Sequence, residues 1–267
     1  MHGHLFSILA AVLLLAGRAG GAAAAGEPVL RIATGELPPY ATASRADQGV
    51  ALAIVRRAFE LQGWRVHYTF LPWSRALRES RAGRWDGTAY WGRAAEREQG
   101  FLLSDVVLTE EWVFLYRQDS GFDWQVPADL RRWRMALIRD YTYTPEMRGL
   151  IEAGELKGDA TPDDLTALRK LVRGRVDVVP VERHVACELV QRHFSQAQAE
   201  GLRAHPRPMT PRFTTHLMLP RQLPDSARRL AAFNRGLGQL RNSGEYERLR
   251  QAPRCPYAWG RAPAGGQ

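Results

Sequence analysis

The side chains best suited to chemistry fall in a few short groups, and their types point to binding rather than bond-breaking. Tyr90, Trp91 and Arg93 follow a short strand-like run, with Glu96 and Arg97 on the next helical turn. Arginine's planar fork can meet a carboxylate through two parallel hydrogen bonds, and aromatic rings line cavities for apolar or flat ligand parts. Tyr141, Thr142 and Tyr143 lead into Thr144-Pro145-Glu146, where Thr142 or Thr144 can cap a helix with proline in its first turn. The free N–H groups and the dipole at such a start favour an anion. Glu36 and Tyr40 flank Pro38-Pro39, a pair that forces an extended loop. Glu182 ends the apolar run Val176–Val181. The sequence holds no G-x-S-x-G, H-E-x-x-H, C-x-x-C or glycine-rich phosphate loop. His184 and Cys187 are helical neighbours, but His193 is too far along to complete a metal site. The expectation is a binding protein with no cofactor, no metal and no catalytic centre.

These residues need elements to hold them. Val29–Thr34 and Arg65–Phe70 alternate like strands, and Gly49–Gln62 between them is an amphipathic helix closed by Gly63. Trp73–Arg81 is a second helix ended by Gly83, followed by a strand over Trp85–Ala89. That order predicts a parallel α/β arrangement, with Tyr90–Arg93 leaving the strand at its C-terminal end, where open sheets place ligands. Val106–Arg117 reads as a long strand and Arg134–Arg139 as another. Asp163–Val172 is a helix, Val176–Val181 a strand and Arg183–Phe194 a helix. Phe213–Leu219 is strand-like, and Ser226–Leu240 and Glu245–Arg250 are terminal helices. Residues 256–267, rich in Gly, Pro and Ala, are expected to be disordered.

The formal net charge is +9, carried almost wholly by arginine. The arginines are spread along the chain rather than clustered, so the charge describes a basic surface and not a nucleic-acid site. Leu5–Ala16 has the length of a signal-peptide core, and Ala22–Ala25 supplies small residues for cleavage, so residues 1–25 are expected to be an export signal. No later stretch has transmembrane length.

The strings "GRWDG…ER…F.LSD" (Gly83–Asp105) and "LRKLVRGRVDVVPVE" (Leu168–Glu182), in this order, resemble the periplasmic solute-binding proteins of the polar amino-acid type, extracellular family 3. The resemblance implies a two-lobed α/β fold with two parallel-rich sheets flanked by helices and joined by two hinge crossings. Lobe one would be residues 27–112 plus 215–255, and lobe two 113–214. It implies that the Glu36–Tyr40 loop lines the ligand cleft. By motif position, Arg97 of lobe one would take a ligand carboxylate and Glu182 of lobe two an ammonium. Tyr90, Trp91, Arg93, Tyr141, Thr142 and Tyr143 would complete the lining. Tyr90–Arg93 replace the family's small hydroxyl residues, and Ala94 its threonine, which suits a larger, aromatic or acidic ligand. A periplasmic monomer that delivers an amino acid or related carboxylate to an inner-membrane ABC permease is the implied role. A ligand sensor, or a dehydratase-like enzyme using Glu182 as general acid, are the alternatives on the same fold. Cys187 and Cys255 would meet an oxidising compartment. A bridge between lobes would restrict the hinge, so they are expected to stay unpaired.

Overall fold

The computed structural model describes residues 28–139 and 141–260; the expected signal segment and residues 261–267 lie outside them. The chain begins β1 (Val29–Thr34), α1 (Val50–Glu60), β2 (Arg65–Phe70), α2 (Trp73–Arg81), β3 (Gly87–Gly92). β1 pairs parallel with both β2 and β3. The short α3 (Ala95–Glu98) and β4 (Phe101–Leu103) follow, and then the long crossing strand β5 (Leu108–Arg117).

The second lobe holds β6 (Arg134–Ile138), α4 (Pro145–Glu152), β7 (Lys157–Thr161), α5 (Asp164–Val172), β8 (Val178–Glu182) and α6 (Arg183–His193), with α7 (Gln196–Glu200) and β9 (Leu202–Ala204). β6 pairs parallel with β7 and β8. The chain returns on β10 (Thr210–Pro220) and ends in α8 (Ser226–Asn242) and α9 (Glu245–Leu249). α8 packs on α1 of the first lobe, where Phe59 and Phe233 rings sit 5.2 Å apart. A Cβ at Gly236 would stand 1.9 Å from the Ala58 carbonyl oxygen, so only glycine permits that approach.

The two sheets expected are fused in one hydrogen-bonded path, β2-β1-β3-β10-β5-β8-β6-β7. The reason is that the crossing strands pair antiparallel with each other, Thr215 opposite Leu108 and Phe213 opposite Glu110. Each lobe keeps its own parallel half, and the antiparallel pair forms the floor between them. β3 runs to Gly92, so Tyr90 and Trp91 lie within the strand and not in a loop beyond it.

The C-terminal segment departs furthest from expectation. Cys187 and Cys255 form a disulfide. α9 is tied to lobe one, where Arg57 Nε donates to Glu245 at 2.8 Å. The chain then leaves lobe one and docks on lobe two. Residues 258–260 form a 3-10 turn and Trp259 is buried. Its indole donates to the Ala199 carbonyl at 2.9 Å, and Arg183 donates to the Trp259 carbonyl at 2.8 Å. Pro256–Gly260 are therefore folded, not disordered. The bridge thus makes a third connection between the lobes, from the tail after α9 to α6.

Candidate functional site

The site begins with a flaw in β3. On β10, Thr215 and His216 face Gly92 and Trp91, but Leu217 faces Ala89, so Tyr90 is left over as a bulge. Tyr90 has φ of 70°, a left-handed conformation that a bulky side chain adopts only when its surroundings impose it. In a regular strand Tyr90 and Trp91 would point to opposite faces; the bulge re-aims them so that both border one cavity. Trp91 is held by a 2.7 Å hydrogen bond to Thr88 and by Trp73, edge-on at 5.1 Å. Tyr90 stacks on Tyr40 at 5.4 Å. The cis peptide between Pro38 and Pro39 precedes Tyr40 in this loop.

The remaining wall comes from the crossing strands and lobe two. Trp112 of β5 packs on Phe213 of β10 at 5.0 Å and on Tyr141 at 5.6 Å. Thr142 reaches over from lobe two and accepts a hydrogen bond from Arg97. Arg97 also donates to the Gly92 carbonyl at 2.6 Å and lies 4.9 Å over the Trp91 ring. It thus ties the lobes together from within the cavity. Thr144, not Thr142, caps α4. The pocket is partly open to solvent, with about 40 Å³ of accessible volume.

Sequence reasoning missed Glu110. It comes from β5, lines the cavity and is 5% exposed. Burial drives its carboxyl well above the ordinary carboxylate range, and the charge of Glu182 adds to the rise. Tyr90, Trp112 and Thr215 oppose that rise as nearby donors. Even so, Glu110 Oε2, the Tyr90 hydroxyl and Trp112 Nε1 have no hydrogen-bond partner among the described residues. The three atoms lie against one another around Glu110, so each is close to a donor or acceptor without a well-aligned bond.

Glu182 takes another position. It is buried at the end of β8, caps α6 through the Val185 N–H at 2.8 Å and lies 3.2 Å from His184 Nδ1. Tyr40 of lobe one meets the same His184 nitrogen at 3.3 Å. The bond to Glu182 raises the His184 pKa against burial. Glu182 therefore stands behind the cavity and is not among the residues that line it. Burial and the charges of Glu182 and Glu110 push the Tyr40 hydroxyl far above its usual range.

Other expected residues are spread further. Tyr90, Trp91, Arg97, Tyr141 and Thr142 converge on the cavity. Tyr141 also donates to Asp164, whose carboxyl burial pushes to about 7 against that hydrogen bond. Tyr143 faces the lobe-two core, where its hydroxyl accepts from the Ile138 N–H at 2.7 Å. Arg93 is exposed and paired with Glu98 at 2.7 Å. Glu36 is exposed and holds its own loop by accepting from the Ala43 N–H at 2.9 Å. Trp73, Trp112 and Phe213 join the lining unannounced by any local pattern.

Residues 30–252 match the model of bacterial extracellular solute-binding proteins, family 3, and the chain belongs to that family. The fold recurs in a histidine kinase sensor domain with similarity to periplasmic binding proteins, at TM-score 0.69 and 22% identity, covering 82% of this chain and 94% of that one. An ancestral arginine-binding protein bound to arginine matches at TM-score 0.69 and 16% identity, over 84% and 97% of the two chains. The substrate binding protein of an amino acid ABC transporter matches at 0.67 and 17%, over 83% and 96%. No curated protein matches significantly. The chain has the periplasmic binding protein-like α/β fold, in a family made up mostly of binding proteins. Among the described residues no helix is long and apolar enough to cross a membrane.

Proposed function

We propose that this chain is an exported solute-binding protein that closes its two lobes around a small carboxylate-bearing solute, an amino acid or a related acid. Arg97 supplies the fork for the carboxylate. The reading rests on one observation above all: Arg97 sits inside the cavity and reaches Thr142 of the opposite lobe. A carboxylate that meets both gains contacts only when the lobes are closed, and that differential affinity is what draws the hinge shut. The chain binds and releases its ligand unchanged. The partner that receives the signal is an inner-membrane ABC permease; the likeness to a kinase sensor domain favours a second reading, in which the liganded form docks on a membrane receptor. The two readings share the site and differ in what touches the outer surface.

A thermal-shift screen of amino acids and small carboxylates identifies the ligand class, since a ligand at a hundredfold its Kd adds about 2.7 kcal/mol of stability. Arg97→Ala is then expected to weaken binding by about 2–4 kcal/mol, the cost of removing a buried charged hydrogen-bond partner. Calorimetry with an unchanged Kd in that variant would reduce Arg97 to a strut between the lobes.

A further inference from the structure

We infer that the solute is a carboxylic acid without an ammonium group, an apolar or aromatic monocarboxylate and not a zwitterionic amino acid. This rests on the solute-binding reading above, in which Arg97 takes the carboxylate, and narrows it.

The argument starts from the charges. Among the described residues, Arg97 is the only cation in the cavity lining and Glu110 the only carboxylic acid. Arg97 and the solute's carboxylate neutralise each other. An ammonium on the same solute would add a second cation to a buried place and would need an anion of its own. Three acids stand near, and none supplies that anion. Glu182, expected to take an ammonium, does not line the cavity and is occupied within the protein. One of its oxygens accepts from the Val185 N–H at 2.8 Å, and the other lies 3.2 Å from His184 Nδ1. Asp164 stands behind Tyr141, whose hydroxyl donates to it, and is also absent from the lining. Glu110 does line the cavity. It is 5% exposed, and the groups that face it are the donors of Tyr90, Trp112 and Thr215, with no cation among them. Desolvation holds such a carboxyl in its neutral form, and the charge of Glu182 adds to that effect. Glu110 thus offers hydrogen bonds but no counter-charge.

The rest of the wall suits an apolar body. Trp73, Tyr90, Trp91, Trp112, Tyr141 and Phe213 present rings, which stabilise a ligand by the apolar area they remove from water. Ring faces also attract cations. Here that place is taken, since Arg97 lies 4.9 Å over the Trp91 ring, and an ammonium beside it would meet a like charge.

Matched pairs test this: propanoate against L-alanine, and 3-phenylpropanoate against L-phenylalanine. Members of a pair share the carboxylate and the carbon skeleton and differ by the ammonium. By calorimetry at neutral pH, in each pair that binds, the acid should bind wild-type protein about tenfold or more tighter than its amino acid. Propanamide and 3-phenylpropanamide, which lack the negative charge, should bind about tenfold or more weaker than the matching acids. An amino acid of either pair that binds as tightly as its acid, or tighter, overturns the inference. If that binding is lost in Arg97→Ala, the carboxylate reading still stands. Amides that bind as tightly as the acids overturn the carboxylate reading and this inference with it. The absence of binding by both acids at millimolar concentration overturns the apolar-acid assignment and leaves the carboxylate reading to the wider thermal-shift screen.

Discussion

Removing the Cys187–Cys255 bridge should lower stability by about 2–4 kcal/mol while leaving the lobes folded. The bridge closes a loop with a sequence separation of 68 residues. Loop-closure entropy for a ring of that size gives about 4 kcal/mol as the upper value. The measured loss should fall below it where the reduced unfolded chain retains structure that already restricts the loop. In the folded chain the tail keeps its other anchors on lobe two, the buried Trp259, its hydrogen bond to Ala199 at 2.9 Å and the Arg183 contact at 2.8 Å, so the lobes stay folded without the bridge. The assay is urea unfolding followed by tryptophan fluorescence, comparing oxidised protein, reduced protein and the Cys187→Ser/Cys255→Ser double variant. Reduced and double-variant proteins should agree with each other and fall below the oxidised form. A loss under about 0.5 kcal/mol in both would refute the reasoning, since the loop would then be constrained by packing alone.

Two further outcomes follow from the site. The Asp164 carboxyl is raised from 3.8 to about 7, so the folded chain keeps its proton where the unfolded chain has lost it. Its contribution is fully present below about pH 4 and is lost as pH rises to about 7, by up to about 4 kcal/mol. Asp164→Asn should flatten that decline in urea titrations at stepped pH, and a wild-type slope retained by the variant would exclude Asp164 as its source. A Cβ at Gly92 would stand 2.4 Å from the Phe213 ring and 3.1 Å from the Thr142 side chain. Gly92→Ala should therefore oppose closure by about 1–3 kcal/mol, read as weaker ligand affinity and less ligand-induced compaction in small-angle scattering. Unchanged values for both would show that Phe213 simply moves aside.

The alternation of strands and helices was legible because periodicity is local. Trp73–Arg81 and Arg65–Phe70 occur within the bounds their patterns predict. So does the proline-capped start of α4, although Thr144 rather than Thr142 provides the cap. The converging residues Arg97, Tyr90, Trp91, Tyr141 and Thr142 were visible through motif order and through their places at strand and helix ends. What tertiary structure alone decided is register and neighbourhood. The Tyr90 bulge exists because β10, more than a hundred residues away, pairs with β3 out of step. Glu110 reads as an ordinary polar residue on a strand until pairing with β10 places it opposite Phe213 and under the aromatic rings. Glu182 and Glu110 are both glutamates on strands. One is saturated by the start of its own helix and by His184, whereas the other keeps an oxygen without a partner. The tail's docking on lobe two brings Cys255 to Cys187, and no local pattern in a Gly-, Pro- and Ala-rich segment encodes that meeting. Side-chain periodicity fixes which elements form, because it depends on neighbours within a turn or a strand. Which polar groups remain unsatisfied depends on contacts across the whole chain.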